Sequence, residues 1–323
     1  MSNLRAAYGE TLVELGKDND KIVVLEADLG KSTMGCLFEQ AFPSRFYEMG
    51  IAEANMAATA AGLSLTGKVP FMASFAVFCP GRCYDQIRTA ICIPSLNVKI
   101  CGSSAGLSDY GDGATHQSVD DIALMRVLPN MRVFCAADAR ETRQIVRYMA
   151  ENDGPMYLRV SRADLPDIPG SDGPFHEGEP MILRKGNDAA VFAAGAMVHS
   201  SLEAAEELAG LGCNVTVVNV PSIKPLNHEA VRKIARSVPR VMTIEEHSTA
   251  GGLGDAISEA LAGMPSPYRL GILDSFGASA QNYEVLLKAY RLDTDSIAES
   301  ILAVAAGRPA DELLRYFFIS RQG

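Results

Sequence analysis

A chain of 323 residues, 48% hydrophobic and 21% charged, has enough apolar material for two domains of ordinary size, each with its own core. No apolar run reaches the roughly 18–20 residues of a bilayer span, and the start "MSNLRAAYGE" lacks a basic stretch leading into an apolar one, so a cytoplasmic protein without membrane contact is expected. A formal net charge of −10 argues against general nucleic-acid binding, and seven cysteines without a C-x-x-C pair beside five histidines without H-E-x-x-H imply reduced thiols and no structural metal.

In chain order the pattern predicts a helix near 3–17, strands "KIVVLEA" (21–27) and "RFYEM" (45–49), a helix near 52–65, strand "VPFMASF" (69–75) and a helix near 81–92. There follow strand "NVKICGS" (97–103), a helix near 119–127, strand "MRVFCA" (131–136), a helix near 140–151 and strand "MYLRV" (156–160). Strands that are apolar throughout and separated by helices are covered on both faces, which means a mostly parallel sheet. The stretch "ADLPDIPGSDGPFHEG" (163–178) has no period and reads as a linker, set at 166–184. Beyond it come strands "DAAVFAAG" (188–195), "CNVTVVNV" (213–220), "RVMTIEEH" (240–247) and "YRLGILD" (268–274), with helices near 198–210, 227–236, 253–262, 283–290 and 294–306. The expected fold class is α/β: two doubly wound domains, 1–165 and 185–323, with ligands at the C-terminal ends of their strands.

Several residues stand where chemistry is expected. In "EMGIAEANMAATAAGLSLTG" (48–67) Glu53 falls in the first turn of an Ala-rich helix. It either complements the helix dipole or, desolvated where small residues allow close approach, shares a proton with a ligand nitrogen. Phe75 and Phe78 follow a strand and precede Pro80, as core or as the wall of a pocket for a flat heterocycle. "DYGDGATHQS" (109–118) carries Asp112 and His116 in a Gly-rich loop between a strand and a helix. Arg162 directly follows a strand, ready for an anion or a surface ion pair. "EEHSTAGGLGDAISEAL" (245–261) lacks the G-x-G-x-x-G spacing, so a helix N-terminus meeting some anion, or close packing, is expected there rather than a dinucleotide.

Taken together, "GIAEANM", "ASFAVF", "YDQIR", "DGATHQ", "ALMRVLPNMRV" and "RVSRADLP" resemble the C-terminal half of transketolase, in the right order along essentially the whole chain. The resemblance implies a pyrimidine-binding domain followed by the C-terminal transketolase domain, and hence one subunit of a split enzyme. The implied partner is an N-terminal, diphosphate-binding subunit in an α₂β₂ heterotetramer, with thiamine diphosphate shared at the interface and Mg²⁺ held mainly by the partner. Gly111-Asp112-Gly113 looks like a metal loop, but the family's signature adds an Asn roughly 25–30 residues later. Here the Asn that follows is Asn130, 17 residues on, so the spacing fails.

By the resemblance, Glu53 hydrogen-bonds the aminopyrimidine N1′ and favours the imino tautomer that takes the thiazolium C2 proton, while Phe75 and Phe78 pack on the pyrimidine. Asp112 reads a substrate hydroxyl, His116 meets the hydroxyl or oxyanion at the reacting end, and Arg162 with Arg5 and Ser32 holds the terminal anion of a sugar phosphate. Two positions depart from the family. Ser103-Ser104 stand where single-chain members often have a phosphate-facing His, which admits a sulfonate as the anion, and Gly81 stands where a third aromatic is common. The expected reaction is transfer of a two-carbon ketol unit from a ketose phosphate to an aldose phosphate. The β subunit of a 2-oxo acid dehydrogenase has the same size and domain order, but its substrate has no distal phosphate. A non-catalytic scaffold would have no use for Glu53 together with His116.

Overall fold

The computed structural model describes residues 2–308; residues 309–323, the end of the expected second domain, lie outside the described residues. Two sheets organise the chain. The first has seven strands in the order Ser222–Lys224, Arg132–Cys135, Met156–Ser161, Lys99–Ala105, Val69–Phe75, Ile22–Glu26, Phe46–Glu48. All neighbours are parallel except the Ser222–Lys224 edge. The second runs Tyr268–Ile272, Val241–Ser248, Ala189–Ala193, Val215–Asn219, Met181–Arg184 and is parallel except for its last pair.

Ile22–Glu26, Val69–Phe75 and Lys99–Ala105 are buried at every position, as central strands under helices on both faces should be, the polar Glu26, Ser74, Lys99, Ser103 and Ser104 included. Each large apolar side chain fully buried there contributes about 1.5–3 kcal/mol. The helices begin where short polar side chains take up free backbone donors: Asn3 caps Leu4–Asp18 through Ala6 N, and Asp138 caps Ala139–Glu151 through Glu141 N. These two helices lie side by side, with Arg143–Glu10 and Arg147–Glu14 pairs at 2.6 and 2.5 Å on their exposed rims. Among the described residues no helix is long and apolar enough to cross a membrane.

The α/β class and its predominantly parallel sheets are as expected, and four local features differ. The helix expected near 81–92 is broken into Cys79–Arg82, Tyr84–Gln86 and Ile87–Cys92. Pro80 suits only a first turn, and the last piece is wound wide, with Ile93 N bonding Arg88 O at 3.1 Å. Met181–Arg184, inside the stretch read as linker, is an edge strand of the second sheet. Ser222–Lys224 leaves the second domain to pair with Arg132–Cys135 in the first, where Cys135 N also donates to Pro221 O at 2.9 Å. Finally, Ser2–Asn3 pairs antiparallel with Asp164–Leu165, tying the chain start beside the end of the strand Met156–Ser161. All four unpredicted strands are too short to show a period of their own; only tertiary pairing defines them.

Candidate active site

The parallel strands of the first sheet end along one edge, and the expected residues gather there. Glu53 opens the helix Glu53–Leu65, whose Ala57, Ala60 and Ala61 are buried, and its side chain is 4% exposed. Oε1 accepts a hydrogen bond from Arg82 Nη1 at 2.8 Å, whereas Oε2 has no hydrogen bond among the described residues. The Arg82 guanidinium also lies 4.0 Å from the Phe78 ring centroid. Phe75 and Phe78 stack at 6.0 Å, and the His116 ring stands edge-on to Phe78 at 5.3 Å and to Phe75 at 6.3 Å. A buried carboxylate, an aromatic pair and an imidazole thus form one continuous cluster.

His116 belongs to a loop closed at its base by Gly106 N donating to Ser118 O at 2.8 Å. Gly106 and Gly113 have φ of +68° and +73°, which side chains with a Cβ rarely adopt. Asp112 is exposed just before the turn Gly113–Thr115. His116 Nδ1 lies 2.9 Å from the Thr115 hydroxyl, leaving Nε2 without a hydrogen bond among the described residues. The imidazole therefore has one anchored and one available nitrogen, the arrangement a proton-handling group needs.

The cationic end lies past the strand Met156–Ser161. Arg162 donates from Nη1 to Asp109 Oδ2 at 2.9 Å and from its backbone N to Ser108 Oγ at 3.0 Å. Burial pushes the Asp109 carboxyl up, and Arg162 opposes that rise. Arg5 donates to the Ser32 carbonyl at 3.0 Å. Its proton affinity is lowered by burial and then by the charge of Arg162, the mark of two guanidinium groups held near each other. Such a pair favours an anion between or beside them. Ser32 sits in a segment fixed by Glu26: Thr33 Oγ1 donates to Glu26 Oε1 at 2.6 Å, and a Cβ on Gly35 would overlap that same oxygen. Burial holds Glu26 well above the usual carboxylate range, with the Thr33 hydrogen bond opposing.

All eight expected residues therefore lie on one sheet edge. Glu53, Phe75, Phe78 and His116 form an aromatic half, Arg5, Ser32 and Arg162 a cationic half, and Asp112 sits in the exposed loop between. Sequence reasoning gave no role to Arg82 or Asp109. Their partners lie 29 and 53 residues away, and a charge in a polar stretch carries no sign of which distant residue it will meet. In the second domain the Gly-rich turn is filled by the chain's own anion: Glu245 accepts from Leu253 N and Gly254 N at 2.7 and 2.8 Å, at the start of the helix Leu253–Ala260.

Residues 1–167 match the family described as transketolase, pyrimidine binding domain, and residues 178–297 match transketolase, C-terminal domain. The chain belongs to the transketolase family. It is 42% identical to a putative transketolase C-terminal section of Methanocaldococcus jannaschii, over 93% of this chain and 95% of that protein. A 6-deoxy-6-sulfo-D-fructose transketolase subunit of a Clostridium species is 39% identical over 85% of this chain and 86% of its own length. Human transketolase is 34% identical over 92% of this chain, but only 48% of that protein is covered. Among solved structures, one described as a split-gene transketolase, inactive β4 tetramer, superposes with a TM-score of 0.87 and 43% identity, covering 96% of this chain and 100% of that one.

This transketolase chain is thus a transferase-family subunit of the split kind, and the comparisons favour that reading over a 2-oxo acid dehydrogenase subunit or a scaffold. Membership of the family implies dependence on thiamine diphosphate and an N-terminal partner subunit. The residues present fit an aminopyrimidine: Glu53 has an oxygen without a hydrogen bond among the described residues, able to share a proton with a ring nitrogen, and is linked through Arg82 to the ring of Phe78, which stacks with Phe75.

Proposed function

We propose that this chain supplies the aminopyrimidine-binding half of a thiamine diphosphate site and most of the substrate channel. The N-terminal partner would carry the diphosphate and Mg²⁺, in a cytoplasmic α₂β₂ heterotetramer. The assembly would transfer a two-carbon ketol unit from a ketose phosphate, or a sulfonated ketose, to an aldose phosphate. When bound, the cofactor supplies the electron sink for breaking the carbon–carbon bond beside the ketose carbonyl.

The observation that carries this reading is the contact of Phe75 and Phe78 with His116, next to a Glu53 carboxylate that has one oxygen unused. In this reading Glu53 Oε2 shares a proton with a pyrimidine ring nitrogen, and the stacked phenylalanines fix the plane of the ring. His116 Nε2 exchanges a proton with the substrate hydroxyl or oxyanion, and Asp112 accepts from a hydroxyl farther along. Arg5, Ser32 and Arg162 grip the terminal anion, so that binding energy far from the reacting carbons orients them. Support for an anionic sugar also comes from the relatives named for 6-deoxy-6-sulfo-D-fructose and apulose 4-phosphate.

Glu53→Ala tests the assignment in the reconstituted complex with thiamine diphosphate and Mg²⁺. Ketol transfer should fall by about 10²-fold or more, the scale of a lost acid–base group, while the chain melts as before. An unchanged rate would overturn the role given to Glu53.

A further inference from the structure

The loop that carries Asp112 and His116 is held from behind by the second domain. Gln117, next to His116 and 4% exposed, donates from Nε2 to Asp109 O at 3.1 Å, to Leu107 O at 3.4 Å and to Ala278 O at 3.0 Å. One amide thus joins the start of the loop, its end, and a segment more than 150 residues away in sequence, the Gln117–Ala278 separation being 161. Gln117 Oε1 is buried without a hydrogen-bond partner, so the amide gives up one acceptor to keep its two N–H groups shared among three carbonyls.

The segment 276–280 is shaped to that loop. A Cβ on Gly277 would overlap Gln117 Oε1, and a Cβ on Gly113 would overlap Ser279 Oγ. Ala280 N donates to Tyr110 O at 2.9 Å. Beneath them Glu246 Oε1 accepts from Leu107 N and from the Tyr283 hydroxyl, both at 2.8 Å, and Ser248 N donates to Val119 O at 2.7 Å. The second domain therefore meets the loop at residues 107, 110, 113, 117 and 119. Asp112 and His116 lie between these anchors, and the only side-chain hydrogen bond either makes among the described residues is the local one between His116 Nδ1 and the Thr115 hydroxyl.

We propose that Gln117 and the segment 276–280 form a brace that sets the positions of Asp112 and His116, with Gln117 as a positioning residue. This gives the C-terminal domain a part in the reaction although none of its residues enters the candidate site. The inference rests on the functional reading above. Its energetic logic is preorganisation: a displacement of about 1 Å of a reacting group is enough to lower turnover by up to about 10²-fold.

Two variants perturb the brace from opposite sides. Gln117→Met keeps the volume and removes the three donations; Gly277→Ala pushes on the same amide from the second domain. In the isolated chain, hydrogen exchange of the amides between 107 and 118 should accelerate about tenfold or more in both, while the strand Val69–Phe75 stays protected. In the reconstituted complex with fructose 6-phosphate as donor, kcat should fall about tenfold or more while the thiamine diphosphate concentration for half-activation stays within about twofold. A merely structural defect would instead lower protection and cofactor affinity together, and that result, or an unchanged kcat or unchanged loop exchange in both variants, would overturn the brace. If Gly277→Ala does not fold by circular dichroism, Gln117→Met decides alone. Absence of ketol transfer by the wild-type complex would refute the functional reading instead, and the exchange measurement keeps the two failures apart.

Discussion

At the scale of single residues, the site is built from groups whose neighbours leave one atom unused. Glu53 keeps Oε2 and His116 keeps Nε2, while Arg162 is already paired with Asp109 and holds its fork in place. An arginine positioned in this way favours bidentate binding of a terminal phosphate or sulfonate, which a lysine does not reproduce. Arg162→Lys should therefore raise KM for a ketose phosphate by about tenfold and leave kcat within about twofold, because the anion lies far from the reacting carbons. Equal losses in both parameters would place Arg162 at the reacting end. Arg82 is a further case. It is 49% exposed, yet it holds the Glu53 carboxylate and covers the Phe78 face. Arg82→Met should lower kcat/KM of the reconstituted enzyme by about tenfold through a less ordered Glu53, with Arg82→Lys recovering part of the loss; an unchanged kcat/KM would leave that contact without a role. Glu53, Phe75, Phe78, Asp112, His116 and Arg162 could be singled out as candidates because each belongs to a short motif. Arg82 and Asp109 were not, since their significance comes from a partner that only the fold brings near.

At the scale of elements, the central strands were legible because apolar runs flanked by helices have few other solutions, and Val69–Phe75 has the bounds the text suggests. The Gly-rich turn at 251–254 was ambiguous for the opposite reason. Its glycines admit an anion, and nothing local reveals that Glu245 is that anion. Packing explains them: a Cβ on Gly252 would overlap the Glu245 carboxylate, and one on Gly254 would crowd it. Burial pushes Glu245 up to about 7, with the backbone N–H groups of Gly254 and Leu253 opposing. The folded chain thus holds this proton more tightly than the unfolded chain, whose carboxyl titrates near 4.5. Stability from this group is full below that value and is lost as pH rises through about 7, a change on the order of 1–3 kcal/mol. Thermal melts of the isolated chain between pH 5 and 8 should show the decline, and Glu245→Gln should reduce it, leaving the part due to Glu141, which burial also pushes up to about 7. A decline of the same size in the variant would assign it to another group.

At the scale of the whole molecule, the two domains share structure rather than merely touching. The strand Ser222–Lys224 completes the first sheet. Arg159, at the end of the first domain's sheet, donates from Nε to both Asp121 oxygens at 3.2 and 3.0 Å and from Nη2 to the Glu246 carbonyl of the second domain at 2.9 Å. Burial works against the Arg159 charge, and the Asp121 carboxylate together with Cys135, Glu246 and Tyr157 more than offsets it. Removing one partner of such a buried pair typically costs 3–5 kcal/mol. Asp121→Ala should accordingly lower the melting temperature while unfolding remains one cooperative transition; two separate transitions would mean independent domains. This integration is also why the contacts between the domains could not be read from composition: the stretch expected as linker ends in the edge strand Met181–Arg184, which only its pairing partner defines.

The central claim is that this chain is one half of a ketol-transferring enzyme. The most direct test assays the purified chain, its N-terminal partner, and the two together with thiamine diphosphate and Mg²⁺, offering a ketose phosphate with an aldose phosphate and, separately, pyruvate and branched-chain 2-oxo acids. The account predicts transfer of a two-carbon unit between the sugars by the mixture only. Full activity of the isolated chain, or turnover of the oxo acids in place of the sugars, would contradict it.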